Sequence, residues 1–248
     1  MIVLKSAEEI AGMREAGRLT AQLMQELSTA VAPGVSTADL DKVAKAFVAR
    51  HRAVPTFLNY QGYPACICTS VNEQVVHGIP GPRKLKEGDL VSLDIGVTLN
   101  GWVGDMARTF AVGKASPKVL DLMRVTEECL RLGIAQAQVG GYLHDIGHAV
   151  ESHAEALGYG VVREYCGHGI GHQMHEAPQV PNYGSAGSGV RLKAGMTIAI
   201  EPMINTGAWE TRQLDDGWTV VTADGGLSAH FEDTIAITEH GPEVLTSL

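Results

Sequence analysis

Apolar positions at helical spacing recur in four stretches, each bounded by its own start and stop signals. Ser6 with Glu9 forms a capping-box pattern, which predicts a helix running toward Ala30. Pro33-Gly34 breaks it, and a second helix follows from about Thr37 to His51. Farther along, Ser116-Pro117 opens a helix toward Gln138, Gly140-Gly141 interrupts, and another runs to about Leu157, where Gly158 ends it. Each helix pair is followed by runs that predict strands: Leu90 to Val97 with Trp102 to Val112, then Met196 to Glu201 with Phe231 to Ile237.

The repetition extends to individual residues. Lys84-Leu85-Lys86-Glu87-Gly88 leads through an apolar run to Asp94, and Arg191-Leu192-Lys193-Ala194-Gly195 leads through another to Glu201, at an offset of 107. Gly34 and Leu40 correspond to Gly140 and Ile146 at an offset of 106. Two αα-then-ββ halves, about 1–113 and 114–248, predict an α+β fold. A central antiparallel sheet would carry helices on one face and leave the other open as a concave site. No linker separates the halves, so one pseudo-symmetric domain is expected.

The first hairpin can be counted out. With Asn100-Gly101 as a two-residue type I′ turn, Leu99 pairs with Trp102 and Asp94 opposes Ala107. Asp105 then lies diagonally across from Asp94 on the same face, with Cβ atoms roughly 7–8 Å apart. Leu93, Ile95 and Val97 point the other way, with Met106 and Phe110. In Thr197-Ile198-Ala199-Ile200-Glu201 the isoleucines share one face and Glu201 takes the other, while Glu232 begins the returning strand. Four acids converging in this way repel one another severely unless cations hold them. Two divalent ions would neutralise four carboxylates, and an oxygen-rich set favours Mn(II) or Fe(II), with Co(II) and Zn(II) as further candidates. His168 joins them from Cys166-Gly167-His168-Gly169-Ile170-Gly171-His172, where the glycines are expected to let the backbone turn sharply and approach another group closely. His144 and His148, at helical spacing without the following Glu of a His-Glu-x-x-His motif, read as a solvated helix face.

Composition narrows the partners. A net charge of −9, without any run of Lys or Arg, opposes binding to a phosphate backbone, so nucleic acid is not expected. No apolar run is long enough to cross a bilayer and no leader pattern precedes Glu9, which makes the cytoplasm the expected compartment. Four cysteines (Cys66, Cys68, Cys129 and Cys166) do not form a disulfide framework and read as reduced, mostly buried thiols.

The order Asp94, Asp105, His168, Glu201, Glu232 resembles the five-ligand signature of the methionine aminopeptidases and their pita-bread-fold relatives. The flanks match too: Asn72-Glu73, His77-Gly78-Ile79-Pro80, the glycine-rich stretch leading to His175-Glu176-Ala177-Pro178, Glu201-Pro202, and Ser228-Ala229. The resemblance spans essentially the whole chain. It implies that Asp105 and Glu232 bridge two divalent ions, Asp94 chelates one, and His168 and Glu201 bind the other. The pair of ions would activate a water and polarise the scissile carbonyl. Glu201 would shuttle the proton, and His77 and His175 would contact the scissile peptide. The methionine pocket would be formed by Tyr60, Tyr63, Cys68 and Trp218, with Phe57 and Met174 also touching it. Asn72, Ser228 and the backbone near Gln74 resemble a monovalent-cation site.

The resemblance is to the short type I form, acting as a monomer on the N-termini of nascent polypeptides, with a small second residue preferred and a transient ribosome contact implied. Three positions depart from it. Phe57 stands where Cys is frequent, Met174 where an aromatic is common, and His230 where Gln is usual. An Xaa-Pro-type peptidase and a non-catalytic binding protein of the same fold are the alternatives.

Overall fold

The computed structural model describes residues 1–248. The predicted helices are α1 (Ala7–Ala30), α2 (Thr37–Arg50), α3 (Pro117–Gln136) and α4 (Leu143–Ala156). At α1, the Ser6 hydroxyl accepts from Glu9 N–H while the Glu9 carboxylate accepts from Ser6 N–H, satisfying donors that the first turn otherwise leaves orphaned. Ser36 and Asp39 repeat the device at α2, and Pro117 follows the cap Ser116 at α3. Not one of the helices is long and apolar enough to cross a membrane.

Nine strands form the main sheet: β1 (Val54–Pro55), β2 (Ile67–Val71), β3 (Leu90–Leu99), β4 (Trp102–Ala111), β5 (Gly167–Gly169), β6 (Glu176–Val180), β7 (Thr197–Ile200), β8 (Glu232–Thr238) and β9 (Gly241–Val244). Their path is β1-β3-β4-β8-β7-β5-β6, with β2 also paired to β3 and β9 to β8; every pairing is antiparallel. The β3–β4 register is the one counted from the turn, with Leu99 opposite Trp102 and Asp94 opposite Ala107. Asn100 (φ 50°) and Gly101 (φ 84°) supply the two left-handed residues that such a turn requires. Between β4 and β8 only two residue pairs form, Glu232 with Ala107 and Asp233 with Met106. Beyond them the Thr234 hydroxyl donates to the Asp105 carbonyl and accepts from the Asp105 N–H.

Alternation sorts the sheet into two faces. Leu93, Ile95, Val97 and Met106 pack with Leu23, Leu27 and Leu40 of α1 and α2. Ile198, Ile200, Ile235 and Ile237 pack with Leu130, Leu143 and Ile146 of α3 and α4. The acids emerge on the opposite face. The first turns of α1 depart from the expected one-sided helix layer. Ile10 and Met13 join Val103, Ile170, Ala236 and Leu245, closing one end of the face that carries the acids. Isolated bridges pair Ser36 with Lys84 and Tyr142 with Arg191, the same junction in each half of the repeat.

The predicted strand ends shift by a residue or two, and His168 does not sit in a turn. Gly167 and Gly169 flank it in β5 with no left-handed φ. A Cβ on Gly167 would lie 2.3 Å from the Ala199 carbonyl oxygen, and one on Gly169 would lie 2.2 Å from that of Ala177. The glycines therefore serve close packing of strands and not reversal of the chain.

Gly17 makes a similar contact within α1, where a Cβ would lie 2.4 Å from the Leu245 carbonyl oxygen. Helix propensity alone favours Ala there by about 1 kcal/mol. Because the obstructing atom is backbone, overpacking outweighs that gain. Gly17→Ala is expected to destabilise the protein by about 1–3 kcal/mol, read as a lower urea midpoint at unchanged slope.

Candidate metal centre and its cavity

Four strands and one strand end deliver the five predicted ligands to one place. Asp94 comes from β3, Asp105 from β4, His168 from β5 and Glu232 from the start of β8, and Glu201 follows directly on β7. Ligand atoms of Asp105, His168 and Glu232 lie within 4.8 Å of one another. The His168 Nε2 is 3.5 Å from Asp105 Oδ2 and 3.7 Å from Glu201 Oε1. These separations exceed a hydrogen bond and suit donors facing a common cation. His168 Nδ1 lies 2.9 Å from the Gly169 carbonyl oxygen, which can only accept, so the ring proton sits on Nδ1 and the Nε2 lone pair faces the acids.

The cluster is buried and unsatisfied. Asp105 and Glu232 are each 2% exposed. Asp94 Oδ1, Asp105 Oδ1 and Glu232 Oε1 are enclosed without a hydrogen-bond partner. Burial, and then the charges of neighbouring acids, push the Asp94, Glu201 and Glu232 carboxyls well above the usual carboxylate range; Asp105 is the leading neighbour in each case. Orphaned oxygens of this kind, with one imidazole lone pair among them, match the donor set of a divalent cation.

A cavity of about 160 Å³ opens above these groups. Its lining comprises the five candidate ligands with Phe57, Tyr60, Tyr63, Cys68, His77, Met174, His175 and Trp218, and adds Gln61, which the sequence reading missed. Gln61 (φ 50°) follows Asn59 (φ 64°) in a short irregular turn, and nothing in its residue type singles it out. On one wall Phe57, Tyr63, Cys68 and Met174 are buried together, with Tyr60 and Trp218 against them. The Tyr63 and Trp218 rings meet edge to face at 5.1 Å, and the Tyr63 hydroxyl lies 3.0 Å from the Gly78 carbonyl oxygen, beside His77. Phe57 has room because position 96 is glycine; a Cβ there would lie 2.7 Å from the Phe57 ring. His144 and His148 lie on α4, outside this lining.

The two remaining histidines are held neutral. Burial lowers His77, and burial with the neighbouring His168 brings His175 down to about 4. The Tyr60 hydroxyl sits 2.7 Å from His175 Nδ1, a hydrogen bond in which the phenol can donate to or accept from the ring. Lys5 forms a largely buried ion pair with Glu176 next to His175, tying the N-terminal segment to the start of β6. At the resembled monovalent-cation site, the Ser228 hydroxyl is buried without a partner, whereas the Asn72 side-chain oxygen already accepts from Leu90 N–H at 2.9 Å.

Residues 11–239 match metallopeptidase family M24. The chain belongs to that family. It is 49% identical to a methionine aminopeptidase of Clostridium acetobutylicum over 247 residues, and 50% identical to methionine aminopeptidase 1 of Bacillus subtilis over 246; each alignment covers 99% of both chains. The solved methionine aminopeptidase of Rickettsia prowazekii superposes with a TM-score of 0.98 at 44% identity, with full coverage of both. An Xaa-Pro dipeptidase from Bacillus anthracis shares the pita-bread fold with a TM-score of 0.77 at 24% identity, and this chain spans 62% of its length. Use of a divalent metal ion follows from the family together with the Asp105, His168 and Glu232 grouping.

Cation binding and pH should act on stability through the raised carboxyls. An acid whose folded pKa is raised contributes fully below its unfolded value, about 4, and that contribution is lost as pH climbs through the folded value. The thermal midpoint of metal-free protein is therefore expected to fall as pH rises from about 5 to 8. Mn(II) should restore it, by about 2.7 kcal/mol at a hundredfold excess over Kd. Asp105→Asn should raise the metal-free midpoint at about pH 8 and shrink the Mn(II) effect; a midpoint indifferent to Mn(II) would contradict the assignment.

Proposed function

We propose that the chain is a methionine aminopeptidase that removes the first residue of newly made polypeptides and prefers a small second residue. The observation that carries this reading is the juxtaposition of a carboxylate-rich cluster with an apolar, sulfur- and aromatic-lined wall in one cavity. It is supported by relatives of that name matching 99% of the chain. Asp105 and Glu232 would each face two divalent ions, with Asp94 holding one and His168 and Glu201 the other. Mn(II) and Fe(II) suit the set best, with Co(II) and Zn(II) as further candidates. When bound, the pair supplies Lewis acidity toward a water and a carbonyl oxygen. Ser228 and Asn72 would add a monovalent cation nearby, in keeping with the unpartnered Ser228 hydroxyl.

The chain's own residues supply the rest. Glu201 takes the proton of the attacking water and hands it to the departing amine, a role that suits a carboxylate lining the cavity beside the other ligands. With the Tyr60 hydroxyl donating to Nδ1, His175 would carry its proton on Nε2 and donate it to the scissile carbonyl as negative charge grows there. His77, neutral and braced edge-on by Trp218 and Tyr165, contacts the peptide on the other side. The wall of Phe57, Tyr63, Cys68, Met174 and Trp218 accepts an unbranched thioether, since flexible sulfur against aromatic edges is favourable. In this reading the whole chain is one domain, with halves at about 1–113 and 114–248, working as a monomer in the cytoplasm with a transient ribosome contact.

The Xaa-Pro reading is less favoured, because the Xaa-Pro dipeptidase of Bacillus anthracis shares only the fold at 24% identity, against 49% and 50% for the methionine aminopeptidases. A non-catalytic role has no use for three buried, unpaired carboxylate oxygens. Protein reloaded with Mn(II), Fe(II) or Co(II) is expected to release methionine from Met-Ala-Ser, and Asp105→Ala to lose that activity. Faster hydrolysis of an Xaa-Pro peptide would overturn the choice of substrate, and inert wild type with every metal would favour a binding role.

A further inference from the structure

His230 is a buried side chain with an unexplained atom. The residue is 2% exposed, and its Nε2 has no hydrogen-bond partner. An orphaned imidazole nitrogen is costly to bury, so its retention needs a partner that engages during function. A carboxylate oxygen, Glu201 Oε2, lies 3.7 Å away. Glu201 is thus approached from both sides: its Oε1 faces His168, and its Oε2 faces His230. His230 is not among the residues that line the cavity, whereas all five candidate ligands are. It stands behind the carboxylate and outside the cluster.

The backbone of His230 is held rigidly. Its N–H donates to Thr109 Oγ1 at 2.9 Å, its carbonyl accepts from the same hydroxyl at 2.8 Å, and it pairs with Met203 in a separate small sheet. Met203 lies two residues beyond Glu201, so that sheet ties together the segments carrying the imidazole and the carboxylate. A short shift of the Glu201 side chain toward His230 closes the remaining gap.

We propose that His230 is a positioning residue for Glu201: its Nε2–H donates to Oε2, leaving Oε1 directed at His168 and the reacting water. The inference rests on the proposed role of Glu201. In Mn(II)-loaded enzyme acting on Met-Ala-Ser, His230→Leu removes the donor while keeping apolar bulk. It is expected to lower kcat by about 10–100-fold with KM nearly unchanged, because the bond matters to the reaction and not to holding the peptide. His230→Gln, which retains an N–H at similar reach, restores most of the rate. His230→Asn, whose amide is too short to reach, behaves like Leu and serves if Leu prevents folding.

Calorimetric titration of metal-free protein with Mn(II) supplies a readout apart from activity. His230→Leu should weaken binding about tenfold or more in the native background and add little in a Glu201→Gln background. Wild-type activity with unaltered kcat and Mn(II) affinity in the His230 variants would overturn this inference alone. Equal Mn(II) losses in both backgrounds would overturn it too, since His230 would not be acting through Glu201. An inactive wild type would overturn the function on which it stands.

Discussion

Mutual repulsion of buried carboxylates is the constraint around which this molecule is arranged. Asp94, Asp105, Glu201 and Glu232 converge on one cavity, and three of their oxygens have no partner in the protein. The sheet that carries them is stabilised from its other face, where the aliphatic residues of β3, β4, β7 and β8 pack on four helices. The fold thereby holds open a site that its own electrostatics would otherwise disperse. A divalent cation turns that repulsion into attraction, which links the chain's stability to the chemistry of its family.

The division of labour follows from sheet alternation. Along each strand one residue builds core and the next faces the cavity, so Leu93 and Ile95 flank Asp94, and Ile198 and Ile200 bracket Ala199 just before Glu201. The cavity wall is then completed by residues outside the central hairpins: Phe57 and Tyr63 before β2, His77 after it, His175 before β6, and Trp218 from a distant loop. Such loops are free to vary without disturbing the acids. The departures at Phe57 and Met174 both lie on this wall.

Much of this was legible in the sequence because it rests on local rules. The Asn100-Gly101 turn fixed the hairpin register by counting, and the capping pair Ser6–Glu9 fixed the start of the first helix. Other features depend on contacts between residues far apart, and local patterns do not report those. The short strand at His168 exists because Gly167 and Gly169 let neighbouring backbones approach, as expected of them, but the sharp turn also expected there does not form. Thr234, which clamps Asp105 across the narrow β4–β8 junction, could have been found by alternation from Glu232. Gln61 offered no signal. His230 stood out only as an unusual residue, and its unpartnered nitrogen beside Glu201 is visible only in three dimensions.

The central claim is that these five side chains gather divalent cations. Anomalous diffraction from crystals grown with Mn(II), collected on both sides of the manganese edge, tests it most directly. Two peaks are predicted, both within bonding distance of Asp105 and Glu232, one also touching Asp94 and the other His168 and Glu201. A cavity without anomalous signal at saturating Mn(II), or peaks confined to other parts of the surface, would contradict the account.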